Sequence, residues 1–140
     1  MKHLIDQLRR DEGEVLHAYS DHLGYLTIGV GRLIDKRKGG GITQAEAAYL
    51  LQNDIDRVSS EIFRRIPWAE TLDQARLGVL IAMAFQMGVD GLLKFKTTLK
   101  RIQERDYAGA SQSMLDSLWA QQTPARAKRL SQQILTGVWK

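Results

Sequence analysis

Cysteine is absent from this 140-residue chain, which rules out disulfide staples and thiolate-held zinc. The three histidines, His3, His17 and His22, lack the spacing of a metal site. No metal and no cofactor are therefore expected. Proline is scarce, at two residues, and there is no tract of low complexity, so the chain is expected to fold throughout rather than to carry a linker. No uninterrupted apolar run opens it either. Met1 to Asp11 carries Lys2, His3, Asp6, Arg9 and Arg10, which suits neither the core of a signal peptide nor a membrane anchor. The expectation is a protein made and kept in the cytosol until something lets it out.

What is present is the composition of an ordinary folded domain, with 44% apolar and 26% charged residues. The length suits one domain, expected to be split into two lobes, with a sizeable core. A net charge of +4 favours acidic partners: nucleic acid, an anionic membrane surface, or an acidic polymer such as a bacterial wall.

Leu4, Ile5 and Leu8 recur at helical spacing and Gly13 offers a stop, which predicts a short first helix ending at Asp11 or Glu12. Next come His17 to Ser20, Tyr25 to Ile28 and Arg32 to Ile34, rich in aromatic and branched residues and separated by turn formers. They predict a small antiparallel sheet, closed by a basic, flexible loop from Lys36 to Gly41. Thr43 and Glu46 form a capping box, so a helix should start at Gln44 and run to about Arg65, before Pro67. At 1.5 Å per residue it spans about 30 Å, the length of a strut joining two lobes.

Thr71 to Gln74 should open another helix, apolar on nearly every side from Val79 to Met87 and ended by Gly88. Such a helix must be surrounded, and it is expected to be too short and too interrupted to span a membrane. Around it three more helices are predicted: one capped by Thr97 and reaching about Arg105, one from Tyr107 to Leu115, and one opened by Thr123 and Pro124 and ended by Gly137. The fold expected is α+β and mostly α. A sheet-bearing N-terminal lobe with its connecting helix (1–66) precedes a helical C-terminal lobe (67–140), with a cleft where they meet.

A carboxyl at a helix end facing such a junction is a candidate general acid, because partial burial disfavours its charged form; Glu12 fits. A second carboxylate on a solvated turn stays ionised and can take a proton from water; Asp21 fits. Two carboxylates in unlike surroundings are what glycoside hydrolysis needs, and Thr27 on a neighbouring strand can orient the same water. Each also has a plain alternative: Glu12 as a solvated helix end, Asp21 as a turn residue satisfying its own backbone, and Thr27 as a strand former.

The run Asp11-Glu12-Gly13, then Tyr19-Ser20-Asp21, then Gly24 to Gly31 resembles the catalytic signature of the phage-type lysozymes, glycoside hydrolase family 24, which tailed phages use as endolysins. The likeness continues through Ile42-Thr43, Glu46-Ala47, Asn53-Asp54, Phe85 to Gly88 and Trp119. It resumes at Gln122 to Pro124 and Arg126 to Arg129, and ends with Thr136-Gly137 and Trp139.

The resemblance implies a lysozyme-like fold and a muramidase that cleaves the β-1,4 bond between N-acetylmuramic acid and N-acetylglucosamine in peptidoglycan, with inversion. It makes Glu12 the general acid, Asp21 the partner of the incoming water and Thr27 its positioner. Leu33 and Phe85 would line the sugar cleft, Gln86 would add a polar contact, and Thr98 and Ser113 would touch substrate. It further implies a monomer with peptidoglycan as partner and no obligate protein partner, held in the host cytoplasm until a holin-type lesion releases it.

Two features depart from the family pattern. Arg32 stands where a histidine is frequent, and the loop from Asp35 to Gly41 is short, which trims the edge of the small lobe. If Arg32 pairs with Asp54, that pair should keep its charge across neutral pH. The rival readings are a nucleic-acid binder using Lys100, Arg101, Arg105, Arg126, Lys128 and Arg129, and a wall-binding module without catalysis. The first lacks a recognised nucleic-acid motif, and Glu12, Asp21 and Thr27 argue against the second.

Overall fold

The computed structural model describes residues 1–140 as two compact units, Met1–Leu51 and Gln52–Lys140. The architecture is α+β and mostly helical, with a small three-stranded antiparallel sheet in the first unit, as the apolar periodicities predict.

In the first unit, helix α1 (Lys2–Glu12) ends where Gly13 turns to φ 78° and donates its N–H to the Arg9 carbonyl. Arg9 and Arg10 in the last turn oppose the helix dipole there. Strands β1 (Val15–Ser20), β2 (Leu26–Gly29) and β3 (Arg32–Leu33) follow in spatial order β1-β2-β3. Thr27 is the centre of the sheet, opposite Tyr19 on one side and Leu33 on the other. Directly opposed residues project to the same face, so Tyr19, Thr27 and Leu33 share one.

The segment predicted as a flexible basic loop is a short 3-10 turn, Lys36–Lys38. It is capped by the Asp35 carboxylate, which accepts from the Arg37 N–H, and closed by Gly39 at φ 70°. Helix α2 (Gln44–Arg65) starts on the predicted capping box, with the Glu46 N–H donating to Thr43 Oγ1 at 3.1 Å and the Thr43 N–H to Glu46 Oε1 at 2.9 Å. Arg32 and Asp54 do not pair, and each has another partner. Arg32 donates to both oxygens of Glu46, at 3.0 and 2.9 Å, and Asp54 accepts from Arg57 at 3.0 Å. A carboxylate fixed by its capping role is a ready partner for Arg32, whereas Asp54 has a cation one helical turn away.

In the second unit, α3 (Gln74–Leu93) is capped by Asp73, which accepts from the Arg76 N–H at 3.1 Å. Thr71, expected to open this helix, instead closes an unpredicted 3-10 turn, Pro67–Thr71, by donating to the Trp68 carbonyl. At 20 residues, α3 is long and apolar enough to cross a membrane by length and composition, so the expectation that it is too short does not hold. Its interruption does: Gly88 adopts φ 76° and ψ 163° and breaks the helical path.

Helix α4 (Lys96–Gln103) has Phe95 at its cap position with no side-chain bond, so Thr97 lies in the first turn and not at the cap. Helix α5 (Tyr107–Leu115) takes its predicted bounds and is capped by Asp106. A further short helix, α6 (Leu118–Gln122), is capped by Ser117. In α7 (Pro124–Thr136), Gly137 supplies the left-handed stop as predicted, while the Thr123 hydroxyl donates back to the Trp119 carbonyl. Ile62, Leu80, Met83, Leu92, Ile102, Met114 and Ile134 are fully buried together in this unit, each contributing about 1.5–3 kcal/mol through removal from water.

Candidate active site

Glu12, Tyr19, Ser20, Asp21, His22, Thr27, Gly31 and Leu33 line one cavity of about 310 Å³ in the first unit. The three residues singled out for chemistry thus converge, although they come from a helix end, a turn and a strand. Leu33, expected against the sugar, lines the same cavity.

Glu12 is the last residue of α1, and its side chain runs beside Gly31. A methyl group on Gly31 would lie 3.2 Å from Glu12 Oε2 and 3.6 Å from its Cβ. Gly31 also holds φ +69°, a conformation that other residues adopt at a cost. The backbone conformation favours glycine there, and an added methyl would crowd the Glu12 side chain. The neighbouring acids have cationic partners, Asp11 with Arg10 and Glu14 with Arg9, whereas Glu12 has none. It is exposed, not partly buried as expected, so the first unit leaves this carboxyl open to whatever enters the cavity.

Asp21 organises the turn between β1 and β2. Its Oδ1 accepts from the Leu23 N–H at 2.9 Å and the Tyr25 N–H at 2.8 Å, while its backbone carbonyl accepts from Gly24 at 3.0 Å. One oxygen is committed to two amides, while Oδ2 makes no hydrogen bond within the protein. The plain alternative, a turn residue satisfying its own backbone, is therefore true of half the carboxylate.

Thr27 is buried, at 3% exposure, and its hydroxyl donates to the Tyr25 carbonyl at 3.0 Å. Its single proton is thereby used. Toward the cavity the oxygen can only accept, which fixes the orientation of any water it holds.

The other expected contacts lie in the second unit. Phe85 and Gln86 sit on α3, and Phe85 is 44% exposed and lines a cavity with Asp54, Arg57 and Glu61. Phe85 is thus partly exposed at the surface and is not among the buried core residues. The Gln86 amide oxygen accepts from the Trp119 indole N–H at 2.9 Å, which pins the side chain. Thr98 and Ser113, on α4 and α5, meet: the Thr98 hydroxyl donates to Ser113 at 2.9 Å, and both line a cavity of about 290 Å³ with Lys94, Lys96 and Ser117. Thr98 is 2% exposed although it lies in the first turn of α4.

Tyr19, Tyr25 and Gly31 were not singled out by sequence reasoning. Tyr19 could have been found from the strand pairing, since it opposes Thr27. Gly31 required the path of the Glu12 side chain, which no local pattern carries.

The family model described as Phage lysozyme matches residues 9–133. The chain is 35% identical to the Probable T4-type lysozyme 1 of Dictyostelium discoideum, over 94% of this chain and 93% of that protein. It is 36% identical to the Pre-baseplate central spike protein Gp5 of Enterobacteria phage T4, over 96% of this chain and 28% of that much longer protein. It is 33% identical to the Endolysin of Salmonella phage P22, over 82% of this chain and 79% of that protein.

Proposed function

We propose, from the premise that the chain belongs to the phage lysozyme family, that Glu12, Asp21 and Thr27 are its catalytic residues and the cavity they line is where a peptidoglycan strand is cut. The chain is a glycoside hydrolase of the lysozyme type. The bond proposed is the β-1,4 link between N-acetylmuramic acid and N-acetylglucosamine. The observation that carries the assignment is the convergence of two carboxylates and a hydroxyl on one cavity.

The hydrogen bonds divide the work. A water between Thr27 and Asp21 gives one proton as a hydrogen bond to the Thr27 oxygen, whose own proton is held by the Tyr25 carbonyl. Its other proton points to Asp21 Oδ2, since Oδ1 is occupied by two amides. That leaves a lone pair for the anomeric carbon. As the new carbon–oxygen bond forms, Asp21 takes the water's proton, the glycosidic bond breaks, and Glu12 gives its proton to the departing sugar oxygen. Direct attack by water inverts the anomeric centre. Because Glu12 is exposed, the bound polysaccharide itself must supply the dry surroundings that favour a neutral acid.

In the second unit, Phe85 presents an exposed ring face suited to a sugar, Gln86 keeps its amide N–H groups for a carbonyl, and Thr98 with Ser113 forms a polar contact flanked by Lys94 and Lys96. These residues are proposed to touch the same polymer. Synthesis is placed in the host cytoplasm, with a holin-type lesion giving access to the wall. The protein is taken to act as a monomer, without an obligate protein partner and without specific nucleic-acid binding.

Glu12→Gln keeps the shape and removes the acidic proton. Turbidity loss of permeabilised Gram-negative cells should slow by about 10²- to 10⁴-fold, and unchanged clearing would refute the role. With wild type and a soluble wall oligomer, the anomer released first should be inverted; retention would remove Asp21 from its role as base.

A further inference from the structure

We propose that Tyr25 is a positioning residue for Asp21 and Thr27, and that the basic turn Lys36–Lys38 acts through it by gripping its ring. The inference rests on the reading of Asp21 and Thr27 as the pair that handles water.

The backbone of Tyr25 touches both members of that pair. Its N–H donates to Asp21 Oδ1 at 2.8 Å, and its carbonyl accepts from the Asp21 N–H at 2.8 Å and from the Thr27 hydroxyl at 3.0 Å. A rotation of Tyr25 therefore moves the general base and the water positioner together. Yet none of those three bonds involves the ring.

The ring is held from elsewhere. The Arg37 guanidinium lies 5.3 Å from its centroid and the Lys38 ammonium 4.9 Å, so two cations face one aromatic ring. Arg37 is itself fixed by Asp35, with Nε donating to Oδ1 at 3.0 Å and Nη2 to Oδ2 at 2.6 Å, while the Arg37 N–H donates to the same Oδ1 at 2.9 Å. Those bonds, that of the Arg37 side chain first, hold the Asp35 carboxyl at about 2, so it stays ionised at any pH where the enzyme would work.

The turn is tied to the sheet as well. Ile34 and Asp35 both donate to the Leu26 carbonyl, and Gly40 lies so close to β3 that an added methyl would sit 2.6 Å from the Leu33 carbonyl. A turn whose only task is loose attraction to an anionic wall would leave its cations free. Here Arg37 is neutralised by a carboxylate and Lys38 faces a ring, so two of the three cations are committed to structure.

Steady-state hydrolysis of a soluble wall oligomer tests the clamp, using Tyr25→Leu and the double substitution Arg37→Gln/Lys38→Gln. Both should lower kcat by about tenfold with KM within about twofold, and Tyr25→Phe, which keeps the ring, should recover most of what Tyr25→Leu loses. The exposed double substitution remains informative if Tyr25→Leu folds poorly.

Amide hydrogen exchange supplies a readout independent of turnover. The N–H groups of Leu23 and Tyr25, both bound to Asp21, should exchange faster in the double variant. A rise in KM alone would assign the cations to substrate attraction and overturn the proposal, as would a normal kcat or unchanged exchange. If Asp21→Asn and Thr27→Val kept full activity, the catalytic reading would fall instead, and the exchange rates would still judge the clamp.

Discussion

Every buried apolar side chain lies between Ile62 and Ile134, in the unit from Gln52 to Lys140; in the unit from Met1 to Leu51 the one buried residue is Thr27, and it is polar. Charge divides as unevenly. The first unit balances its lysines and arginines against its aspartates and glutamates, so the net charge of +4 falls in the second. One unit is held by packing, which is non-directional and tolerant of local change. The other is held by capping bonds, a short sheet and the turn around Asp21, which are directional. Hydrogen bonds fix angles as well as distances, and the proposed chemistry sits where they dominate.

The comparison can be broken at its strongest point first. Met114→Ala removes a fully buried side chain from the second unit and should cost about 2–5 kcal/mol in a denaturant melt, a large part of a domain's usual margin. Activity per folded molecule should survive. A mild effect on stability would mean that the packed unit is not what limits the melt.

Gly31→Ala should show the converse, a strong effect on turnover and a modest one on stability. The left-handed backbone alone costs about 1–2 kcal/mol, while the new methyl sits 3.2 Å from Glu12 Oε2 and must displace it. A drop in kcat of about tenfold or more is expected on wall oligomers. Wild-type kcat in a folded Gly31→Ala protein would show that the Glu12 position is not set by this contact.

The smallest effect belongs to Arg32. The Glu46 carboxyl is lowered from 4.5 to about 2, first by the Arg32 hydrogen bonds and then by those of Thr43. A depressed carboxylate contributes stability above its unfolded value and loses it as pH falls through the folded one. The melting-temperature gap between wild type and Arg32→Ala should therefore be flat from neutral pH down to about 4.5 and close toward pH 2. Arg32→His should instead approach wild type only below about pH 6.5, where histidine carries charge. A gap that widens in acid would contradict the Arg32–Glu46 assignment.

Much of this was legible in the residues because it depends on neighbours in sequence. The Thr43–Glu46 box, Gly13 and Gly137 as helix stops, and the bounds of α5 each follow from groups within a few positions of one another. Thr71 and Thr97 misled for the same reason. A threonine before a helix satisfies the capping pattern, but Asp73 took the α3 cap and Phe95 stands at that of α4, whereas Thr123 does hold the α7 cap position ahead of Pro124, with its hydroxyl turned to the Trp119 carbonyl. The pairing of Arg32 with Glu46 was missed because fourteen residues separate them and no local rule chooses among distant carboxylates.

The sequence by itself determined the α+β class, the order of elements and the identity of Glu12, Asp21 and Thr27 as candidates, since periodicity, capping and motif order are written along the chain. Tertiary structure decided what those candidates can do. Strand register set Thr27 between Tyr19 and Leu33, the turn tied up one oxygen of Asp21, and the approach of Gly31 fixed the path of Glu12. Which lone pair or proton remains free depends on where the others are bonded, and that is settled only when distant segments meet.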